Sequence, residues 1–350
     1  MDRRHFTHRL GWASALMPLL AAFAPRHQTN EQISKPAIKP ARLRPGDKVG
    51  LITPGSYIPE RTLEKAVNNI RSLGFNPILS QNIRAKKGYI AGTDEQRLSD
   101  LHSMFSNPDI RAVWCARGGY GCTRLLPHID YELIRRNPKV FIGYSDITAL
   151  HLAIHQMTGL ICFHGPVGGS DFTEYSVGHL KAVLVEGRAP YTIKTIESHG
   201  TVKYPALYAS QVLRPGRVRA PLFGGNLSLL AALAGTPFAF DASGKLVFME
   251  DIDEKPYRVD RMLTQLRQSA KLDKAAGFAL GIFNGCVPEP GDESLTLAET
   301  IADRFSDIRR PAVYGLTFGH IANQCTLPIG LEAELDVQAL TITLTEAAVS

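Results

Sequence analysis

The chain has 350 residues, 44% of them hydrophobic and 21% charged, an ordinary globular composition with length enough for two domains or one large one. Its formal charge of +6 is concentrated at the start: residues 1–40 hold six Lys/Arg against two acids, a net +4, which leaves +2 for everything after them. With so small a surplus and no Lys/Arg run in the remainder, a nucleic-acid surface, which needs clustered cations to neutralise phosphates, is not supported.

In chain order, the first feature reads as an export leader. Arg3 and Arg4 precede Phe6 and an apolar stretch from Leu10 to Ala24 that Pro18 interrupts and that is short for a bilayer span. Ala22-Phe23-Ala24 has the small-x-small form of a cleavage site, and the run DRRHF has the look of a twin-arginine leader, whose passengers cross the membrane folded. The expected assignment is therefore a signal peptide over 1–24, a polar linker over 25–40, and a periplasmic or otherwise exported body from about Ala41. The five cysteines are odd in number, form no CxxC pair and lie mostly in apolar runs, which gives neither a disulfide framework nor a zinc site.

From Lys48 the pattern alternates. KVGLIT reads as a strand, Arg61–Leu73 as a helix stopped by Gly74, NPILS as a strand, and Thr93 with Gln96 as the capping box of a helix running to Asn107. IRAVWCA (Ile110–Ala116), KVFIGY (Lys139–Tyr144) and LICFHG (Leu160–Gly165) are further strands, with Asp146–Met157 helical between the last two. Such alternation predicts a parallel sheet covered by helices. The second half is richer in β-patterns and glycine. GRAPYTIKTI, GTVKY, GRVRAPLFGG, KLVFMED and GFALGIFNG read as strands, NLSLLAALAG and PYRVDRMLTQLRQ as helices, and the end from Cys325 to Thr345 alternates like β-structure. The expected class is α/β: an N-terminal parallel-sheet domain over 41–190 and a β-rich α/β domain over 191–350, with the boundary near residues 185–200.

Four places carry chemistry. In FIGYSDITALHLAIH a strand ends at Gly143, Ser145 follows, and a helix begins, which is the layout of a nucleophile elbow; the Asp146 N–H then sits at a helix start, where it can receive an oxyanion. The plainer reading is that Ser145 only caps a helix. In CARGGYGC a strand runs into Arg117-Gly118-Gly119-Tyr120-Gly121; it is neither a dinucleotide fingerprint nor a P-loop, and it is either a ligand-facing loop at a strand end or a tight turn. LVFMEDIDEKPYR delivers Glu250, Asp251, Asp253 and Glu254 to a strand end, where an acid can orient a histidine, but spacing does not choose among the four. His320 follows Gly319 after another apolar strand, with His164 of CFHGP as its rival. His151 and His155 stand four apart on a helix without the Glu of HExxH and without a third ligand, so no metal is assigned.

The ordered set RPGDKVGLITP, AGTDEQRLSDL, ARGGYG, FIGYSDITAL, HGP, GGNLSLLAALAGTPF, FMEDIDEKPYRVDRML and YGLTFGH…LPIGLEAELD resembles the LD-carboxypeptidase (muramoyltetrapeptide carboxypeptidase) family of serine peptidases over nearly all of the chain from Ala41. The resemblance implies Ser145 as nucleophile, Glu250 as the acid and His320 as the base; the turn and the glycine loop then offer the N–H groups of Asp146 and of Gly118 or Gly119 as expected oxyanion donors. It implies cleavage of the L,D-bond that releases D-Ala from murein tetrapeptides, a site between two domains, a homodimer and no cofactor. Arg117 and Arg258 are candidates for the terminal carboxylate, since guanidinium binds carboxylate in a bidentate way, and Tyr120 and Tyr144 for other substrate contacts. Asp253 departs from the family's frequent glycine. The alternatives are a microcin-C-immunity-like hydrolase of aminoacyl-nucleotide conjugates, an inactive murein-peptide binding protein, and a lipase-like α/β hydrolase, against which the missing GxSxG stands.

Overall fold

The computed structural model describes residues 36–196 and 203–350. The leader reading falls outside the described residues. Structure begins earlier than the linker reading expected: Ile38 bridges to Leu160 and donates its N–H to the Gly159 carbonyl at 2.8 Å.

The first sheet takes β1 (Lys48–Ile52), β2 (Asn76–Leu79), β3 (Ile110–Cys115), β4 (Val140–Gly143) and β5 (Cys162–His164). All five are parallel, in the order β2-β1-β3-β4-β5. Its helices are α1 (Glu60–Ser72), α2 (Asp94–Ser106), α3 (Tyr131–Arg136), α4 (Thr148–Thr158) and α5 (Glu174–Leu180). Helices on both faces leave central strands without a solvent side, which is why β3 and β4 read as nearly unbroken apolar runs. Trp114 and Phe141 are fully buried there. The Thr93–Gln96 capping box forms as the sequence predicts and starts α2. In this strand order the crevice between β1 and β3 is the switch point, and the loops following those strands are where ligands bind in such sheets.

The second sheet is mixed. Its strands are β6 (Tyr191–Lys194), β7 (Gln211–Arg214), β8 (Arg217–Asn226), β9 (Leu246–Ile252), β10 (Gly277–Asn284) and β11 (Ala312–Tyr314), joined after β12 (Leu327–Ile329) by β13 (Glu332–Asp336) and β14 (Thr341–Leu344). β8, β9, β10 and β11 are parallel neighbours, with α6 (Leu227–Ala232), α7 (Pro256–Ser269) and α8 (Leu297–Arg304) between them in sequence. β12 leaves this sheet and pairs antiparallel with β5, setting Leu327 opposite His164. The result is the α/β architecture of two sheet domains that the strand–helix alternation predicts. The strand expected over GTVKY is not seen where it is described: Lys203 and Tyr204 lead into a short 3₁₀ turn, Pro205–Tyr208, a start that suits proline because its missing N–H is not needed there.

Candidate active site

β4 ends at Gly143, and a single 3₁₀ turn, Ser145–Ile147, separates it from α4, where the sequence suggested a helix starting at Asp146. Ser145 has φ +65, in the left-handed region that L-residues with a Cβ avoid. A residue that merely caps a helix has extended backbone, so this conformation favours the elbow over the cap. The turn is built into its surroundings. A Cβ placed on Gly118 would lie 3.1 Å from the Tyr144 carbonyl oxygen and 3.2 Å from Ser145 Cβ, a tight fit that marks how closely the ARGGYG loop passes the serine. The Asp146 carboxylate accepts from the Cys122 N–H at 2.9 Å, and burial pushes its pKa up despite that bond. Buried Arg97 donates one nitrogen to the carbonyls of Pro54 (2.6 Å) and Gly121 (2.9 Å), tying the loops after β1 and β3 together, and its charge is met by Asp94.

In the second sheet, Glu250 on β9 is fully buried and its Oε2 lies 2.7 Å from His320 Nδ1. The imidazole keeps 13% of its surface exposed. Gly319 makes the approach feasible: its φ is +120, and a Cβ there would sit 3.1 Å from Glu250 Cβ and 2.8 Å from the Ile282 carbonyl. Burial alone would raise the Glu250 pKa, but the His320 charge and hydrogen bond outweigh it and hold the carboxyl below 4.5. Burial alone would lower His320, and Glu250 reverses that, holding the imidazole above 6.5. Each stabilises the charged form of the other.

The structure separates the four acids that spacing left equivalent. Asp251, also buried, accepts from Asn226 Nδ2 (2.9 Å) and from the N–H (2.9 Å) and hydroxyl (2.8 Å) of Ser228 at the start of α6. Burial first, and Glu250 beside it second, push its pKa up to about 6. Asp253 has φ +55, which is the physical reason a glycine suits that position; aspartate is among the few other residues that tolerate it. Glu254 faces Arg258 at 3.5 Å on the first turn of α7. Of the rival histidines, His164 is fully buried in aromatic contact with Phe248 and Tyr144, and burial pushes its pKa down to about 4. His151 is likewise buried, and His155 Nδ1 meets the Leu160 carbonyl at 2.9 Å.

Two links bring the serine side to the histidine side. The Tyr144 ring packs edge-on against the His320 ring, centroids 4.8 Å apart, and the Thr148 hydroxyl accepts from the Asn226 N–H (3.0 Å) at the end of β8. Among the described residues the Ser145 hydroxyl makes no hydrogen bond to the imidazole in this conformation; such bonds often tighten only around substrate. Arg117 is half-buried and donates to the Tyr57 carbonyl (2.7 Å), while Arg258 is exposed beside Glu254 and Tyr257. Tyr120 is exposed on the loop beyond Gly118. Sequence reasoning missed three supports. Thr148 docks the elbow on β8, Asn284 Nδ2 holds the His320 carbonyl (2.9 Å), and the Tyr208 hydroxyl donates to Asn284 Oδ1 (3.0 Å). None belongs to a motif that spacing could have flagged.

Signatures for the LD-carboxypeptidase N-terminal and C-terminal domains match residues 49–165 and 219–335. The probable murein peptide carboxypeptidase of Bacillus subtilis is 41% identical, over 89% of this chain and 95% of its own. The chain belongs to the LD-carboxypeptidase family. A solved muramoyltetrapeptide carboxypeptidase from Oxalobacter formigenes is 32% identical with a TM-score of 0.73, covering 86% of this chain and 98% of that one. The microcin C7 self-immunity protein MccF, solved in complex with glutamyl sulfamoyl guanosine, shares the fold at a TM-score of 0.81 and 24% identity, over 89% of this chain and 99% of its own. The family and fold that the motifs suggested are thus those of the molecule, and its activity class is that of a peptidase.

Proposed function

We propose that this protein is a serine LD-carboxypeptidase that removes terminal D-Ala from murein tetrapeptides. Ser145 is the nucleophile, His320 the general base and Glu250 the group that orients it. The observation that carries the reading is the buried Glu250–His320 pair, whose imidazole packs on the ring of Tyr144, the residue just before a serine in left-handed conformation at a strand end. With Nδ1–H donated to Glu250, the Nε2 lone pair of His320 is left free to take the Ser145 proton as Oγ attacks the scissile carbonyl carbon. The oxyanion is received by the Asp146 N–H and one from Gly118 or Gly119, each such donor being worth about 3–4 kcal/mol to the transition state. His320 then gives its proton to the D-Ala nitrogen, the C–N bond breaks, and water, deprotonated by His320, hydrolyses the acyl-serine.

The test is D-Ala release from a murein tetrapeptide, followed by mass spectrometry, with the parent and with Ser145→Ala. Release by the parent alone supports the reading; equal release removes Ser145 from its role. The fold shared with MccF motivates a second reading, hydrolysis of aminoacyl-nucleotide conjugates. It predicts cleavage of an aminoacyl sulfamoyl nucleoside and none of the tetrapeptide. Export belongs to the same proposal, resting on the paired arginines and apolar run of residues 3–24. Accumulation of an Arg3→Lys, Arg4→Lys variant in the cytoplasm, with the parent outside it, is the expected result.

A further inference from the structure

Two tyrosines stand exposed beside the turn that follows β1. Tyr89 is 65% and Tyr120 52% exposed, and their rings meet edge to face with centroids 5.5 Å apart. Aromatic rings grouped on a surface are a common feature of binding sites, because they offer a large amphipathic face at low conformational cost. These two are held on fixed turns. The Tyr120 N–H donates to Ser56 Oγ (3.1 Å), and the Ala91 N–H, two residues beyond Tyr89, donates to the Gly55 carbonyl (3.0 Å). Both rings are therefore anchored on one loop, the Gly55–Ser56 turn after β1. That turn also receives the Gly118 carbonyl, through the Ser56 N–H at 3.0 Å, and a Cβ placed on Gly118 would lie 3.2 Å from Ser145 Cβ. The platform and the nucleophile share a scaffold.

Reach is the second argument. Tyr120 follows Gly118 by two residues, at most about 7 Å of chain, and its ring extends beyond that. In a tetrapeptide stem cut at its last bond, three residues separate the scissile carbonyl from whatever bears the stem, an extended span of about 10 Å. These two lengths are on the same scale. At the edge of the pair lies Arg124, locked to Asp94 by bonds of 3.0 and 2.8 Å with its side chain 45% exposed. It is within electrostatic reach of both phenols. Flat apolar faces bordered by fixed polar groups suit a pyranose ring, whose C–H faces stack on aromatics and whose rim hydroxyls bond to charge. Two side chains offer far less area than the roughly 800 Å² that each partner gives to a stable protein interface.

We propose that Tyr89 and Tyr120 form a saccharide platform that receives the amino-sugar end of a glycan-bearing stem peptide. The proposal rests on the carboxypeptidase reading of the cleft, and the test separates the two. D-Ala release is measured on the free tetrapeptide and on the same tetrapeptide carried by its N-acetylglucosaminyl-N-acetylmuramoyl disaccharide, with the parent, Tyr89→Ala and Tyr89→Phe. Independently, the peptide-free disaccharide is titrated by calorimetry into the full chain carrying Ser145→Ala, with and without Tyr89→Ala. The expected result is a KM for the glycan-bearing substrate about fivefold to tenfold higher in Tyr89→Ala, near the parent in Tyr89→Phe, with the free tetrapeptide unaffected. Disaccharide binding weakens in parallel. Equal losses on both substrates, no loss on either, or a changed oligomeric state with unchanged disaccharide affinity overturns the platform. If neither substrate is cleaved, the carboxypeptidase reading fails, and the disaccharide titration alone still decides whether the sugar site exists.

Discussion

At the end of β4 the main chain sets the position of the side chain: Ser145 sits at φ +65, close beside Gly118 and fixed through Asp146 to the Cys122 N–H. At the end of β9 charge sets it: a fully buried carboxylate and a mostly buried imidazole meet at 2.7 Å, and neither is comfortable without the other. The serine side stores conformational strain, whereas the histidine side depends on an ion pair. A change on the first side should therefore alter backbone strain with no pH signature, and a change on the second should appear in both stability and titration.

Ser145→Gly is the largest break. On the elbow reading it lowers kcat for D-Ala release by about 10⁶ while raising stability to urea by about 1 kcal/mol, because glycine adopts positive φ without a Cβ clash. Retained activity would return Ser145 to an ordinary turn residue. Glu250→Gln comes next. It is expected to lower kcat by about 10⁴ and to destabilise by about 3 kcal/mol, the cost of unpairing a buried charge; a variant with full stability would mean that the pair is solvated.

Titration sharpens the same contrast. On the proposed mechanism His320 must be neutral to act, so the acid limb of kcat/KM should lie above the ordinary histidine value of 6.5, and Glu250→Gln should move it to lower pH. For stability, Glu250 contributes above its unfolded value near 4.5 and loses that contribution as pH falls through its lower folded value. His320 contributes below 6.5 and loses that contribution as pH rises through its higher folded value. The pair should therefore stabilise most between those unfolded values, which urea midpoints across pH would show and Glu250→Gln would flatten. Asp253→Gly is the smallest change: up to about 1 kcal/mol of added stability from relief of its left-handed backbone, with little change in kcat.

These regions also differ in how well the sequence reveals them. β3, β4 and the capped start of α2 are legible because burial on both faces and reciprocal side-chain capping leave local signatures. The turn at Ser145 is legible as well, from a small residue and a serine at a strand end. The acid is not. Glu250 and Asp251 are adjacent on one strand, both buried, and their side chains point to opposite faces. Which face meets His320 is decided by Gly319, some seventy positions away, and by Ser228 claiming Asp251. Only the resemblance to a known family singled out Glu250, the acid that contacts His320. Asn284 and Tyr208 left no trace because they act through backbone carbonyls and one another.

β12 has a consequence for how the molecule is made. The β5 edge of the first sheet is covered by Leu327–Ile329, a segment that follows most of the second sheet in sequence. During synthesis the N-terminal half thus waits with an open strand edge until nearly the whole chain has emerged, and a fragment ending near residue 190 keeps that edge permanently. A late step of assembly, not the first, closes the sheet on which Ser145 stands.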